Sequence, residues 1–367
     1  MLAALLLAFN FAPGNHGLKP KQPRAHQKPY FVASMQRVVA VESLGFNPTE
    51  TATPVMDAAQ TRLYLGTRDG RIRCFFRGKE SWIFRTNGGV IAAPILDAET
   101  LYVSGGDGSV YALNRFTGQA RWKADLNEEL TTPPTLVEGR LFVMSSEQSV
   151  TALDAETGKR LWKYHRDAPG SFTIRGDARP VLSNGSVFTG FADGTVVALG
   201  PADGVVKWSR QVSGTGDYLD VDWIEAPEDD SRIYVASAKN GILALAAANG
   251  DTVWSYALPG ANHVLVDGQR IVAGGRSTLA ALDRSNGKQV WKLDLGKDRY
   301  PTQPAIASGL ILVANDRGPL LMVDAGSGEL RGEFNPGSGF SEPVLAVPGA
   351  LYAISNGGAL YSLGLVP

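Results

Sequence analysis

The residue types that most often carry catalysis are few and scattered in this chain of 367 residues. The single cysteine, Cys74, excludes an intramolecular disulfide and a zinc site built from several cysteines. No Ser-His-Asp or two-carboxylate arrangement has support in the sequence. The four histidines lack the spacing of metal ligands: His16, His26, His165 and His263. The sequence therefore predicts no catalytic residue, no metal site and no cofactor.

Two segments have instead the composition of a recognition surface. Residues 165–176 read HRDAPGSFTIRG, and residues 213–223 read SGTGDYLDVDW. Aromatic residues and arginine, together with a few carboxylates, are typical of the energetically dominant positions in protein interfaces. We predict a partner-binding surface from Phe172, Ile174, Arg175, Asp220, Asp222 and Trp223.

Two other interpretations of these segments stay open. Arg175 could pair with Asp220 or Asp222 and simply hold the two segments together, whether or not a partner binds. Calcium binding by the two aspartates has less support, because no Asp/Asn-rich loop with a glycine turn surrounds them.

A repeated element must position these segments. Residues 101–126, LYVSGGDGSVYALNRFTGQARWKADL, follow the pattern strand, tight turn, strand, loop, strand. Such a unit leaves an apolar sheet face bare and needs neighbours. Similar turns recur every 36–47 residues and mark eight units: Asp69-Gly70, Asp107-Gly108, Glu147-Gln148, Asp193-Gly194, Asn240-Gly241, Arg276-Ser277, Arg317-Gly318 and Asn356-Gly357.

A second periodic signal is a glycine followed four residues later by a tryptophan. It occurs six times, and in a seventh copy Gly328 is followed by Gly332 in place of the tryptophan. A large flat ring on the outer strand of a blade can fill the gap to the next blade. We therefore assign a structural role to Trp82, Trp122, Trp162, Trp208, Trp254 and Trp291.

Strands at a period near 40 residues predict an all-β fold, an eight-bladed β-propeller with four-stranded antiparallel blades. The eighth unit has only three strands, whereas MQRVVAVESL at 35–44 is a strand without a hairpin partner. We expect this N-terminal strand to complete the last blade and close the ring. Links between blades lie on the face of the hairpin turns, so the two long links should be neighbours there.

The propeller is expected to occupy residues 36–367 as a single domain. Residues 1–15 contain the apolar run LAALLLAFNFA, which is too short to cross a bilayer and resembles the core of a signal peptide. Residues 16–35, rich in Pro, Lys and Gln, predict a disordered tether. We expect export without a visible lipid anchor, and the net charge of −1 argues against a nucleic-acid partner.

The repeats VTALDAETGKRLWKY and VYALNRFTGQARWK resemble the pyrroloquinoline-quinone-type propeller repeat, and residues 36–365 resemble the BamB family. FTIRGDARP (172–180) and LDVDW (219–223) are similar to the BamB segments that face the partner BamA. The resemblance implies a non-catalytic scaffold at the periplasmic face of the outer membrane. It would dock a BamA-like protein, support the folding and insertion of outer-membrane β-barrel proteins, and meet their unfolded chains as clients.

Two alternatives remain. A propeller of this repeat could serve another envelope complex or ligand, which the sequence does not separate from the first hypothesis. A quinoprotein dehydrogenase is the other known use of the repeat, but those enzymes are longer, bind calcium and often have a disulfide between adjacent cysteines. Since this chain has one cysteine and no obvious calcium cluster, we expect no enzymatic activity.

Overall fold

The computed structural model describes residues 29–38, 52–130, 132–167, 178–214, 216–297, 299–315 and 318–366. These ranges form eight sheets, each of four antiparallel strands, around a common axis. The prediction of an all-β, eight-bladed propeller is therefore confirmed. No helix in the described ranges is long and apolar enough to cross a membrane.

Strands are given from the axis outward. Blade 1 consists of β2 Val55–Met56, β3 Arg62–Thr67, β4 Arg71–Phe76 and β5 Lys79–Arg85, and blade 2 of β6 Ile95–Leu96, β7 Thr100–Ser104, β8 Ser109–Asn114 and β9 Ala120–Asp125. Blade 3 consists of β10 Thr135–Val137, β11 Arg140–Ser145, β12 Ser149–Asp154 and β13 Arg160–His165, and blade 4 of β14 Ala178–Ser183, β15 Ser186–Gly190, β16 Thr195–Leu199 and β17 Val206–Gln211.

Blade 5 consists of β18 Val221–Glu225, β19 Arg232–Ser237, β20 Gly241–Ala246 and β21 Thr252–Tyr256, and blade 6 of β22 His263–Asp267, β23 Arg270–Gly275, β24 Thr278–Asp283 and β25 Gln289–Asp294. Blade 7 consists of β26 Ala305–Ala307, β27 Leu310–Val313, β28 Leu320–Asp324 and β29 Leu330–Phe334. Blade 8 consists of β30 Leu345–Val347, β31 Ala350–Ile354, β32 Ala359–Leu365 and β1 Tyr30–Arg37.

The two middle strands of each blade form the core. All of β7 and nearly all of β8 is buried, whereas the outer strand β9 alternates exposed and half-buried residues. Sheets covered on both faces have nearly continuous apolar strands, which explains runs such as LYV and VYAL. Each apolar cluster joins two blades; one, for example, contains Tyr64 of blade 1 and Val103 of blade 2.

The ring is closed by β1, which pairs antiparallel with β32 as the outer strand of the last blade. Closure by an N-terminal strand is as predicted. The strand itself lies earlier than expected, at Tyr30–Arg37, so residues 30–35 belong to a blade rather than to the tether. The rest of the expected strand, 39–44, lies outside the described residues.

The interfaces between consecutive blades, here called seams, are organised around the six repeated tryptophans. Trp82 of blade 1 donates its Nε1 hydrogen to the Arg115 carbonyl of blade 2 at 3.1 Å, and the other five make the same bond at 2.9–3.1 Å. A Cβ placed on Gly118, which has φ 74°, would come within 2.6 Å of that indole. The glycine and tryptophan of the sequence repeat therefore meet across each of these seams.

Candidate functional site

The first residues of the first long link (165–176) contact the hairpin turn of the next blade. The Arg166 guanidinium forms an ion pair with Asp193 in the turn of blade 4. It also donates to Thr195 Oγ1 at 3.2 Å and lies over the Phe191 ring at 5.6 Å. The predicted residues Phe172, Ile174 and Arg175 lie outside the described residues.

The second long link (213–223) contacts the same hairpin turn. The Val212 amide, just before it, donates to the Gly194 carbonyl at 2.9 Å. Ser213 Oγ donates to the Leu219 carbonyl at 2.6 Å and lies 2.9 Å from Ser237 Oγ of blade 5. Because Arg166 also contacts this turn, the two links begin side by side on one face of the ring, here called the turn face.

The tip of the second long link projects an aromatic side chain. Tyr218 is 51% exposed and takes a left-handed backbone conformation with φ 58°. That conformation is uncommon for a residue with a large side chain, and it is held here by the bonds at both ends of the link. The link therefore presents Tyr218 on a fixed support.

The predicted partner-binding residues of this link lie elsewhere. Asp220 has no exposed surface, so it could influence a partner only through the link that surrounds it. Asp222 and Trp223 line the central channel and are half-buried. Sequence analysis placed all three in one surface because it could not distinguish the tip of the link from its return into the blade.

Trp223 belongs to a polar and aromatic cluster on the channel wall. Its Nε1 hydrogen is donated to Glu225 Oε1 at 2.9 Å, and its ring lies 5.1 Å from the His263 ring. The Arg179 guanidinium lies over the indole at 5.2 Å and 3.7 Å from the Glu225 carboxylate. Blades 4, 5 and 6 each contribute to this cluster.

The channel itself is a cavity of about 730 Å³ to which all eight blades contribute residues. Most innermost strands are preceded by a proline that lines the cavity, as Pro54, Pro94 and Pro304 do. Proline suits a strand edge that donates no ladder hydrogen bond. Blades 5 and 6 lack this proline and place Trp223 and His263 in the channel. That departure from the repeat was the available sequence signal for the cluster.

The protein environment shifts the charge states in the channel. Burial raises the pKa of Glu225 despite the nearby Arg179, and it raises the pKa of Glu342 on the wall of blade 8 well above its usual value. Burial also lowers the pKa of His263 to about 4, so this imidazole is neutral at pH 7. Burial therefore disfavours the charged form of these three side chains.

Residue types that hold metals are not grouped in the described ranges. No set of three or more His, Cys, Asp or Glu there could hold a metal ion. Cys74 is buried, and burial raises the pKa of its thiol to about 11.

Two comparisons of sequence point to the same family of proteins. A family model described as outer membrane protein assembly factor BamB matches residues 68–222 and 219–363. A protein of that description from Alkalilimnicola ehrlichii is 31% identical over 111 residues, which is 30% of this chain and 29% of that protein. The chain thus matches less than a third of this curated relative.

Two solved structures are similar in fold. BamB from Moraxella catarrhalis has a TM-score of 0.78 at 20% identity, covering 92% of this chain and 100% of that one. Quinohemoprotein alcohol dehydrogenase from Comamonas testosteroni has a TM-score of 0.72 at 15% identity, covering 93% and 77%. At these identities the likeness establishes the fold alone.

Proposed function

The chain belongs to the family of the outer membrane protein assembly factor BamB, and we propose that it is a non-catalytic scaffold for outer-membrane protein assembly. We propose that it lies at the periplasmic face of the outer membrane. The family match across residues 68–363 supports the role. The fold shared with the quinohemoprotein dehydrogenase does not favour an enzyme, since propellers of one architecture host unrelated functions.

The scaffold docks a BamA-like protein, in our proposal, on the turn face. The observation that carries this is the fixed second long link, which exposes Tyr218 between hydrogen bonds at its two ends. An aromatic side chain on a rigid support loses little conformational entropy on binding, which favours affinity. Phe172, Ile174 and Arg175 of the neighbouring link stay predicted contacts.

The other predicted residues have different parts in the proposal. Asp220 would hold the second long link from beneath, because it is fully buried. Asp222 and Trp223 would contact only a partner segment that enters the channel, since they line it. Unfolded outer-membrane protein chains remain proposed clients.

Affinity purification from a mild-detergent envelope extract tests this proposal. The tagged wild-type chain is compared with Tyr218→Ala and Arg175→Glu, and with Tyr300→Ala as a control. Tyr300 is a matched control because it is 48% exposed and lies in the link between blades 6 and 7. A hot-spot loss of about 2 kcal/mol would lower partner affinity about 30-fold.

The expected result is recovery of a BamA-like barrel protein with the wild type and Tyr300→Ala, and its loss with the two link variants. Full recovery with the link variants, at unchanged melting temperature, would reject the docking surface. If the wild type recovers no barrel protein, the assembly role itself is rejected.

A further inference from the structure

Two of the eight seams of the ring lack the tryptophan that fills the other six. In each of those six, the tryptophan pairs across the sheet with a small or apolar residue of the third strand, as Trp122 does with Ala112. A one-residue bulge follows this pair in every case. In blade 8 the equivalent pair, beside the same bulge, is Ser34 of β1 and Ser362 of β32. Ser34 therefore occupies the tryptophan position of the last blade.

The other tryptophan-free seam, between blades 7 and 8, is filled in a different way. Gly332 stands at the tryptophan position, paired with Met322. A Cβ on Gly332 would meet Pro29 Cδ at 2.8 Å. Tyr30 packs its ring 5.8 Å from Phe334 and donates its hydroxyl hydrogen to the Glu333 carbonyl at 2.6 Å. That seam has thus been refilled by the residues around the start of β1.

The seam between blades 8 and 1, here called the closing seam, has no such filling in the described part of the chain. A Cβ on Gly78, in the two-residue turn of blade 1, would meet nothing within 4 Å, whereas an indole lies 2.5–2.8 Å from a Cβ on the glycine in the longer turn at each of the six tryptophan seams. A cavity of about 210 Å³ opens there. Its wall includes both members of the serine pair, Ser34 and Ser362, and Gly78 itself.

The cavity keeps the features that bind an indole at the other seams. Met56, Leu63 and Phe75 supply apolar walls. At the tryptophan seams the indole acceptor is the carbonyl of a residue such as Arg115, whose amide donates to the carbonyl of Glu99. In blade 1 the Arg77 amide makes the equivalent bond to Thr61 at 2.8 Å. Arg77 also lines the cavity, in a turn that is shorter than the turn of Arg115.

The strand beside this cavity has a free edge. Within the described ranges β1 pairs only with β32, and it exposes Phe31, Val32 and Met35 at 57%, 50% and 59%. A strand added to such an edge places a residue opposite Ser34 on the same face of the sheet, about 5 Å away between Cβ atoms. A large side chain at that position would reach over Ser34 into the cavity.

We propose that the closing seam is a receptor for a tryptophan side chain carried by an extended polypeptide that pairs with β1. This deepens and rests on the proposed function, because strands of outer-membrane β-barrels carry aromatic residues near their ends. The client chain would supply the indole that the last blade lacks. The six filled seams identify the occupant, since they hold an indole in the same setting.

A peptide-binding experiment with the purified full chain tests the proposal. The probes are a dye-labelled peptide of about ten residues, the length of a transmembrane strand, with one central tryptophan, and the same peptide with alanine there. Ser34→Trp fills the cavity from within. Met35→Trp is the matched control, because it adds the same residue to the same strand at a side chain that does not line the cavity.

We expect the wild type and Met35→Trp to bind the tryptophan peptide at least tenfold more tightly than the alanine peptide, and Ser34→Trp to lose this preference. Ser362→Leu, which fills the cavity from β32, should also reduce the preference for the tryptophan peptide. This variant replaces Ser34→Trp in the experiment if Ser34→Trp does not fold. An undiminished preference in both filled variants would overturn the proposal.

A second arm distinguishes a partner from the protein's own chain. Phe46 is the one aromatic residue in the sequence of segment 39–51. If the wild type shows no preference for the tryptophan peptide but Phe46→Ala does, residues of this segment occupy the cavity and the proposal is wrong. Equal binding of both peptides by every variant is equally contrary to it. Since no docking partner is present in this assay, its failure leaves the recovery of a BamA-like protein untouched.

Discussion

Removing one seam tryptophan should destabilise the ring strongly. Trp162 is the test position, since its side chain lies between blades 3 and 4 and the residue is only 9% exposed. Its Nε1 hydrogen is donated to the Pro201 carbonyl at 3.1 Å, and its ring lies 5.8 Å from the Phe142 ring. Trp162→Ala would open a cavity closed off by both blades.

The expected loss in the free energy of unfolding is about 3–5 kcal/mol, the range for truncating a large buried aromatic residue. Within that range, the lost hydrogen bond accounts for about 1 kcal/mol. Relaxation of the seam should recover little, because Gly204 approaches the indole through its backbone. A Cβ at Gly204 would lie 2.7 Å from the ring.

The measurement is urea denaturation followed by far-ultraviolet circular dichroism. The control is Leu161→Ala, in the same strand but 44% exposed, which should cost less than about 0.5 kcal/mol. A double-mutant cycle with Gly204→Ala separates the contact from the backbone. In the wild type this substitution adds both left-handed strain at φ 71° and the clash, whereas in Trp162→Ala only the strain remains.

Two outcomes would refute the reasoning. Trp162→Ala could be as mild as Leu161→Ala, which would mean that the indole does not hold the two blades together. Alternatively, Gly204→Ala could cost the same in both backgrounds, which would mean that the glycine is needed for its backbone conformation alone.

Two further predictions concern pH. Because burial raises the pKa of Glu342, ionisation of this side chain opposes folding once the pH rises above its pKa in the unfolded chain. Glu342→Gln should therefore raise the melting temperature at pH 8 and not at pH 4. An effect that is the same at both pH values would contradict this. Although burial opposes ionisation, hydrogen bonds from Arg232 and Tyr234 lower the pKa of Asp230 to about 2. Asp230 thus stabilises the fold above about pH 4, and this contribution is lost as pH falls towards 2; Asp230→Asn should cost about 2–3 kcal/mol at pH 7 in urea unfolding, with the gap from wild type narrowing below pH 4.

The architecture could be predicted from the sequence because two signals repeat independently. The hairpin turn predicted the number of blades, and the glycine–tryptophan pair predicted the contacts at the seams. The fold class and the BamB resemblance were both confirmed. The bounds of the closing strand were less accurate. The segment 35–44 and the actual strand, YFVASMQR, are similarly apolar, and β1 is an edge strand whose residues are mostly exposed, so burial imposes little pattern on it.

The candidate sites were less predictable, for a physical reason. Composition identified the second long link, but only the structure separates the exposed Tyr218 from the buried Asp220, two residues later. The channel cluster joins Arg179, Trp223 and His263 from three blades, and no local pattern expresses such a contact. The cavity at the closing seam depends on Ser34 pairing with a residue from the other end of the chain.

These sites share one property, which is that each departs from the repeat. Residues that most blades share, such as the seam tryptophans, serve packing that repeats from blade to blade. A partner that must bind one place can recognise only what distinguishes one blade from another. The long links lengthen the repeat between blades 3 and 5, blades 5 and 6 lack its channel proline and place Trp223 and His263 in the channel, and Ser34 replaces its tryptophan. Recognition in a propeller of equivalent blades is therefore expected where the sequence repeat fails, and these are the positions where the surface, the channel and the closing seam become unequal.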